Sequence, residues 1–406
     1  MKGEITIKIL KYLSIVLIIF LLVGCTVDTS TPNLQEPDPD ENIVDLEPSD
    51  DEKEPDEDEK PLITGPFIER PKHVKGIYLT GNSAGLKDRF NSLVELVNST
   101  ELNSMVIDVK NDHGELSYRN TEVELAIEIG ANTNKISDIE ALMETLAENN
   151  IYPIARVVVF KDNKLGTKRP DLAVKNLDGS VWVESGSKVA WVDPHSREVW
   201  QYVADVAKEA ARLGFREIQL DYVRFPDRVG DRVKFDHLES FDLIPEGEEY
   251  TRSKVIAEFI KFIRKELEPY NVELSADIFG LIGTVQGDMG IGQHLETLLG
   301  SEALDLICPM VYPSHYHHNN YGLYPSNNAR PYETVKYALI DYQTRIAAMN
   351  SNVMIRPWLQ GFSQGQPPYG PHEVREQIRA AQELGIFEYL IWNPSNQYHH
   401  IADAFR

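Results

Sequence analysis

The stretch Glu217-Ile218-Gln219-Leu220-Asp221-Tyr222-Val223-Arg224-Phe225-Pro226 carries an acid where a buried strand should carry none. Its β-branched, aromatic and Leu residues mark a strand, and Pro226 stops it. Side chains alternate across a strand, so Ile218, Leu220 and Tyr222 form one apolar set, and Gln219, Asp221 and Val223 form the other. A strand covered on both faces should be apolar in both sets. Burying an unpaired carboxylate is costly, so Asp221 needs a reason. Either it is a satisfied core acid paired with Arg224 or Lys110, or the strand's end opens into a catalytic cleft.

The same alternation recurs along the chain. Val106, Asp108 and Lys110 share one face of a strand, and Ile107 and Val109 take the other. Arg156 shares a face with Ile154 and Val158. Ser275 and Asp277 oppose Leu274, Ala276 and Ile278. Arg356, Trp358 and Gln360 oppose Ile355 and Leu359. Five strands thus aim Asp108, Lys110, Arg156, Asp221, Asp277, Arg356, Trp358 and Gln360 at one cup. Two strand-end carboxylates, Asp221 and Asp277, beside Trp and Tyr platforms suit carbohydrate chemistry. The aromatic candidates are Tyr222, Tyr312, Tyr316, Trp182, Trp191, Trp358 and Trp392, whereas Trp200 lies inside a helix and reads as core. The bland reading of Asp277 is an ion pair with Arg156 or Arg356. Other chemistries fit less well. His315, His317 and His318 share one loop, but adjacent His317 and His318 are poorly spaced for one ion, and no HExxH helix accompanies them. Lys110 suits an ion pair with Asp108 better than a Schiff base. No metal and no cofactor are expected.

Positioning these residues takes strands that alternate with helices. Strands are predicted at Gly76–Thr80, Ser104–Lys110, Tyr152–Phe160, Glu217–Phe225, Val272–Phe279, Leu304–Tyr312, Val353–Gln360 and Glu388–Trp392. Helices between them carry apolar residues at 3.6-residue spacing, as in Val199, Val203, Val206, Ala210 and Leu213. Eight such units over residues 62–406 predict an α/β fold, a (β/α)8 TIM barrel. A doubly wound sheet is the alternative, but no Gly-rich phosphate turn follows the first strand. Helix-to-strand turns are short, such as Asn149-Asn150. Strand-to-helix loops are long at 111–137, 161–193, 227–250 and 313–330. All of these fall on the C-terminal face of the strands, where barrel enzymes carry their sites.

Residues 1–25 form a positive start, an apolar run from Tyr12 to Val23 and a Gly24-Cys25 end, which read as a secretory signal. Leu22-Val23-Gly24-Cys25 resembles the bacterial lipobox, which implies lipidation of Cys25 and a membrane anchor facing the extracellular side. The run is short for a span of about 20 residues. Residues 26–61 are acidic and proline-punctuated, so they should form an extended, disordered spacer. The net charge of -24 over 406 residues argues against nucleic acid as a partner. Carbohydrate is the expected ligand and a monomer the expected state. With Cys25 lipidated, Cys308 is left as a small buried hydrophobe.

Asp221–Pro226, Asp277-Ile278-Phe279-Gly280, Cys308-Pro309-Met310-Val311-Tyr312-Pro313 and Arg356-Pro357-Trp358-Leu359-Gln360 together resemble a bacterial glycoside hydrolase domain family of unassigned function. Gly76-Ile77-Tyr78, Asp108-Val109-Lys110 and Ile391-Trp392-Asn393 fit it as well, and the likeness runs from about Lys75 to the C-terminus. It implies a barrel of the TIM-barrel glycosidase superfamily. In the α-amylase and α-galactosidase type of glycosidase, a nucleophilic Asp ends strand four, the position of Asp221. The amylase acid/base, a Glu ending strand five, falls on Asp277, a shorter side chain. The resemblance therefore implies Asp221 as nucleophile and Asp277 as general acid/base. Asp108, Lys110, Arg156, Arg224, Tyr312, Arg356, Trp358, Gln360, Trp392 and Asn393 are the expected substrate-binding residues. A silent carbohydrate-binding barrel and a metal-dependent polysaccharide hydrolase or deacetylase are the rival expectations.

Overall fold

The computed structural model describes residues 62–244, 247–317 and 320–406. The expected leader with Cys25, the acidic spacer and His318 lie outside the described residues.

Eight parallel strands close on themselves. They are β1 (Lys75–Leu79), β2 (Ser104–Lys110), β3 (Tyr152–Val158), β4 (Glu217–Asp221), β5 (Glu273–Phe279), β6 (Leu306–Val311), β7 (Trp358–Gln360) and β8 (Tyr389–Trp392). Each pairs with its successor, and β8 returns to β1 through Gly76 opposite Leu390. Closure leaves no edge and sets one strand end toward the long loops. The fold is the (β/α)8 TIM barrel that the sequence predicts.

Helices pack outside. The longest are α1 (Lys87–Asn98), α2 (Ile139–Glu148), α3 (Arg197–Arg212), α4 (Arg252–Leu267), α5 (Pro331–Ala348) and α6 (Pro371–Glu383). In α3 the predicted stripe is buried: Val199, Val203, Val206 and Ala210 are fully covered. Ser196 caps its start by accepting from Val199 N–H, and Gly214 ends it at φ 101. A Cβ at Gly214 would stand 2.9 Å from the Pro66 carbonyl oxygen, so only glycine suits this turn. Asn150 and Asn350 take the left-handed conformation in the short helix-to-strand turns.

Two strands depart from expectation. β4 ends at Asp221 instead of running to Phe225, because Tyr222 turns into the left-handed region at φ 50. The stretch 353–360 splits into Met354–Ile355 and Trp358–Gln360 around Pro357, which has no N–H for the ladder. After β5 the helix is reduced to Leu295–Leu299.

The barrel interior is stratified. At the N-terminal end, Glu217 accepts from Arg356 at 2.8 Å and from Ser275. Arg70, on the segment before β1, bonds Glu273 and Glu388 there, both at 2.8 Å. Gln219 contacts Cys308 Sγ at 3.2 Å in the next layer. Above them lie Asp108, Arg156, Asp221, Asp277 and Trp358, under the long loops.

Candidate active site

The register fixes which side chains meet. Gln219 pairs with Ser275 and Leu220 with Ala276, so the next step sets Asp221 level with Asp277 on the neighbouring strand. Both line a cavity of about 540 Å³ at the C-terminal mouth. Asp221 Oδ2 accepts from Arg156 Nε at 2.9 Å and Nη2 at 2.6 Å, and Oδ1 accepts from Tyr222 N–H at 2.6 Å. Tyr222 itself takes the left-handed conformation at φ 50. A bulky residue at positive φ stores strain, and such strain gathers at functional sites. Arg156 Nη1 also donates to Asp108 at 2.6 Å, and the Tyr78 hydroxyl donates to Asp108 at 2.7 Å. One guanidinium thus joins two carboxylates, and Asp221 and then Asp108 hold its proton firmly against the cost of burial.

Asp277 sits in a different environment. Its Oδ1 accepts from Trp358 Nε1 at 2.7 Å, and no ion pair reaches it among the described residues. Burial pushes its carboxyl well above the usual range, and the charge of Asp221 pushes the same way. The Trp358 bond and Arg156 oppose them. Burial also raises Asp108, against the pull of Arg156.

Aromatic rings form the cavity walls. Trp392 stacks on Tyr78 at 4.0 Å, and Trp358 meets Trp392 edge-on at 5.5 Å. Trp392 keeps part of its surface open to the cavity, as do Tyr222, Phe279 and Met310. Tyr312 and His315 meet edge-on at 5.2 Å. Burial lowers the His315 pKa, with Gln364 opposing, which favours the neutral ring.

Of the residues expected from sequence, Arg156, Asp221, Arg224, Asp277, Tyr312, Trp358 and Trp392 line the cavity. Asp108 lies behind Arg156. Four residues are placed elsewhere. Lys110 points into the helical layer, where it pairs with Asp162 at 2.7 Å and donates to the Val158 carbonyl. The cause is a bulge: Asp108 is opposite Arg156, but Lys110 is opposite Val157, so alternation reverses between them. Arg356 belongs to the opposite end of the barrel, fully buried on Glu217. Gln360 ties loops together through Ser314 N–H and Asn328, and Asn393 shapes the turn after β8 through Gly361 and Gln397 carbonyls. The ion pair of Asp221 is with Arg156, not with Arg224 or Lys110. Trp191 is fully buried and Trp182 packs against the core. Tyr78 was missed as a site residue, although alternation on β1 would have turned it inward. Among the described residues, no group of three His, Cys, Asp or Glu side chains could hold a metal ion.

A closed (β/α)8 barrel with level carboxylates and aromatic walls at its C-terminal mouth defines a glycosyl hydrolase-like domain. The chain belongs to the family described as "Putative glycosyl hydrolase domain", whose model matches residues 76–398. It is 37% identical to a hypothetical protein from Ruminiclostridium thermocellum ATCC 27405, over 50% of this chain and 96% of that one, with a TM-score of 0.43. The glycoside hydrolase domain of PgaB (BpsB) from Bordetella bronchiseptica is similar in fold, with a TM-score of 0.57 at 12% identity over 84% of this chain and 98% of that one. The glycoside hydrolase domain of PelA from Pseudomonas aeruginosa aligns over 82% of this chain and 99% of that one, at 12% identity and a TM-score of 0.44. No curated protein sequence gives a match.

Proposed function

We propose that this protein hydrolyses glycosidic bonds in a polysaccharide or oligosaccharide outside the cell, held to the membrane by lipid on Cys25. Asp221 is the nucleophile and Asp277 the general acid/base. The observation that carries this reading is the division of labour between the two acids. Asp221 is ion-paired to Arg156, whereas burial and the Asp221 charge favour the protonated form of Asp277. Environments that set two neighbouring acids apart assign base and acid roles.

In the first step a protonated Asp277 gives its proton to the leaving oxygen while Asp221 attacks the anomeric carbon. Because Asp277 Oδ1 accepts from Trp358, the acidic proton resides on Oδ2. In the second step Asp277 takes a proton from water, which displaces Asp221 from the sugar. Arg156 holds Asp221 in place and disperses its charge. Level carboxylates on strands about 4.8 Å apart suit the retaining distance of about 5–5.5 Å better than an inverting one. Trp392, whose surface is partly open to the cavity, offers contact area for a sugar ring.

The test is Asp221→Ala on a glycan that wild type cleaves. Turnover should disappear and partly return with azide, as a glycosyl azide. Undiminished hydrolysis by Asp221→Ala would remove Asp221 from the chemistry. Glycan binding without any turnover by wild type would leave a carbohydrate-binding barrel.

A further inference from the structure

Three arginines are buried within the barrel and its mouth, and two of them are neutralised. Arg156 meets Asp221 and Asp108, and Arg356 meets Glu217. Arg224 is 6% exposed and lines the cavity, yet no carboxylate pairs with it among the described residues. Its only hydrogen bond there is from Nη1 to the Phe225 carbonyl at 3.0 Å. A guanidinium has five N–H donors, so four are left without a protein acceptor.

The carboxylates nearest in influence are already taken. Asp221 is held by Arg156 at 2.6 Å, Asp227 by Arg228 at 3.6 Å, and Glu184 by Lys161 at 3.0 Å. Rings flank the Arg224 guanidinium: Trp191 and Phe279 lie 4.8 Å from its central carbon and Tyr222 5.1 Å. Burial weakens its hold on the proton, with Tyr222, Asp227, Asp221 and Glu184 opposing. A buried cation of this kind is stable when a ligand brings the missing charge.

We propose that Arg224 forms an anion subsite of the cavity and that the glycan is acidic, carrying a carboxylate on a unit at or beside the cleaved one. A flat guanidinium between rings matches the planar fork of a carboxylate, as in a uronic acid. This rests on the glycosidase reading for the cavity's purpose, but its test does not require turnover.

The experiment measures binding to the full chain by calorimetry. The probes are tetragalacturonate, tetraglucuronate and tetramannuronate, each beside its carboxyl-reduced neutral partner, with oligo(glycerol phosphate) as a phosphate-bearing control. At least one acidic member should bind about tenfold tighter than its neutral partner or more, the scale of one charge-assisted pair. Arg224→Gln should bring that ratio to about one, and Arg224→Lys should keep part of it. No preference for the acidic member in any pair overturns the proposal, as does a ratio that survives in a folded Arg224→Gln. Tighter binding of the glycerol phosphate probe than of every uronate replaces carboxylate with phosphate and overturns the uronic acid assignment. Hydrolysis of the probes is scored separately. An Arg224-dependent preference without hydrolysis keeps the anion subsite and sinks the glycosidase reading. Hydrolysis without the preference does the reverse.

Discussion

Replacing Asp277 with Asn should change how stability depends on pH, and the size of the change follows from one proton. Asp277 is 2% exposed, and its amide replacement keeps an oxygen to accept from Trp358 Nε1. Burial, then the Asp221 charge, raises the folded pKa of Asp277 above its unfolded value of about 3.9. The folded protein therefore holds a proton that the unfolded chain has released. Stability from this group is complete below the unfolded value and is lost as pH rises through the raised folded value. Within that window the loss is about 1.4 kcal/mol per pH unit. The Asn variant lacks this term, while the raised Asp108 and Glu217 are present in both proteins. The stability of Asp277→Asn relative to wild type should thus climb by about 1.4 kcal/mol per pH unit from pH ~4 until the Asp277 proton leaves. Urea unfolding of both proteins across that range measures it. The pH at which the difference levels off should reappear as the basic limb of kcat/KM in wild type. A difference that stays flat with pH would show that Asp277 carries no extra proton, and the acid role would fall.

Two further outcomes are expected. Lys110→Met should cost about 3–5 kcal/mol, because it strands the buried Asp162, while turnover per folded molecule stays at the wild-type level. A raised KM at unchanged stability would return Lys110 to the substrate cavity. Cys25→Ser should move the protein from the membrane fraction to the soluble or unprocessed fraction, and wild type without diacylglycerol by mass spectrometry contradicts the anchor.

The barrel was legible because each strand keeps one apolar set for the helices, and the loops lengthen on one side only. The level pairing of Asp221 and Asp277 was legible for the same reason, since alternation turns both inward. Lys110 was not: one extra residue in β2 reverses its face, and nothing in Asp108-Val109-Lys110 spells a bulge. Arg356 shows a second limit. Alternation says that a residue faces inward but not at which depth, and Arg356 lies in the break before Trp358–Gln360, so it falls on Glu217 at the far end. Gln360 and Asn393 are near the mouth, yet backbone groups of the loops claim their amides. The partner of Asp221 was equally hidden. Arg156 was read as inward, but its double grip on Asp108 and Asp221 depends on three-strand register.

The anomeric configuration of the first-formed product tests the central claim most directly. Proton NMR at early times, before mutarotation, reads it on any glycan that the protein cleaves. If Asp221 attacks and water then displaces it, the anomeric carbon is inverted twice, and the product should keep the substrate's configuration. An inverted first product would mean a single displacement by water, with Asp221 as its base and no covalent glycosyl–Asp221 intermediate.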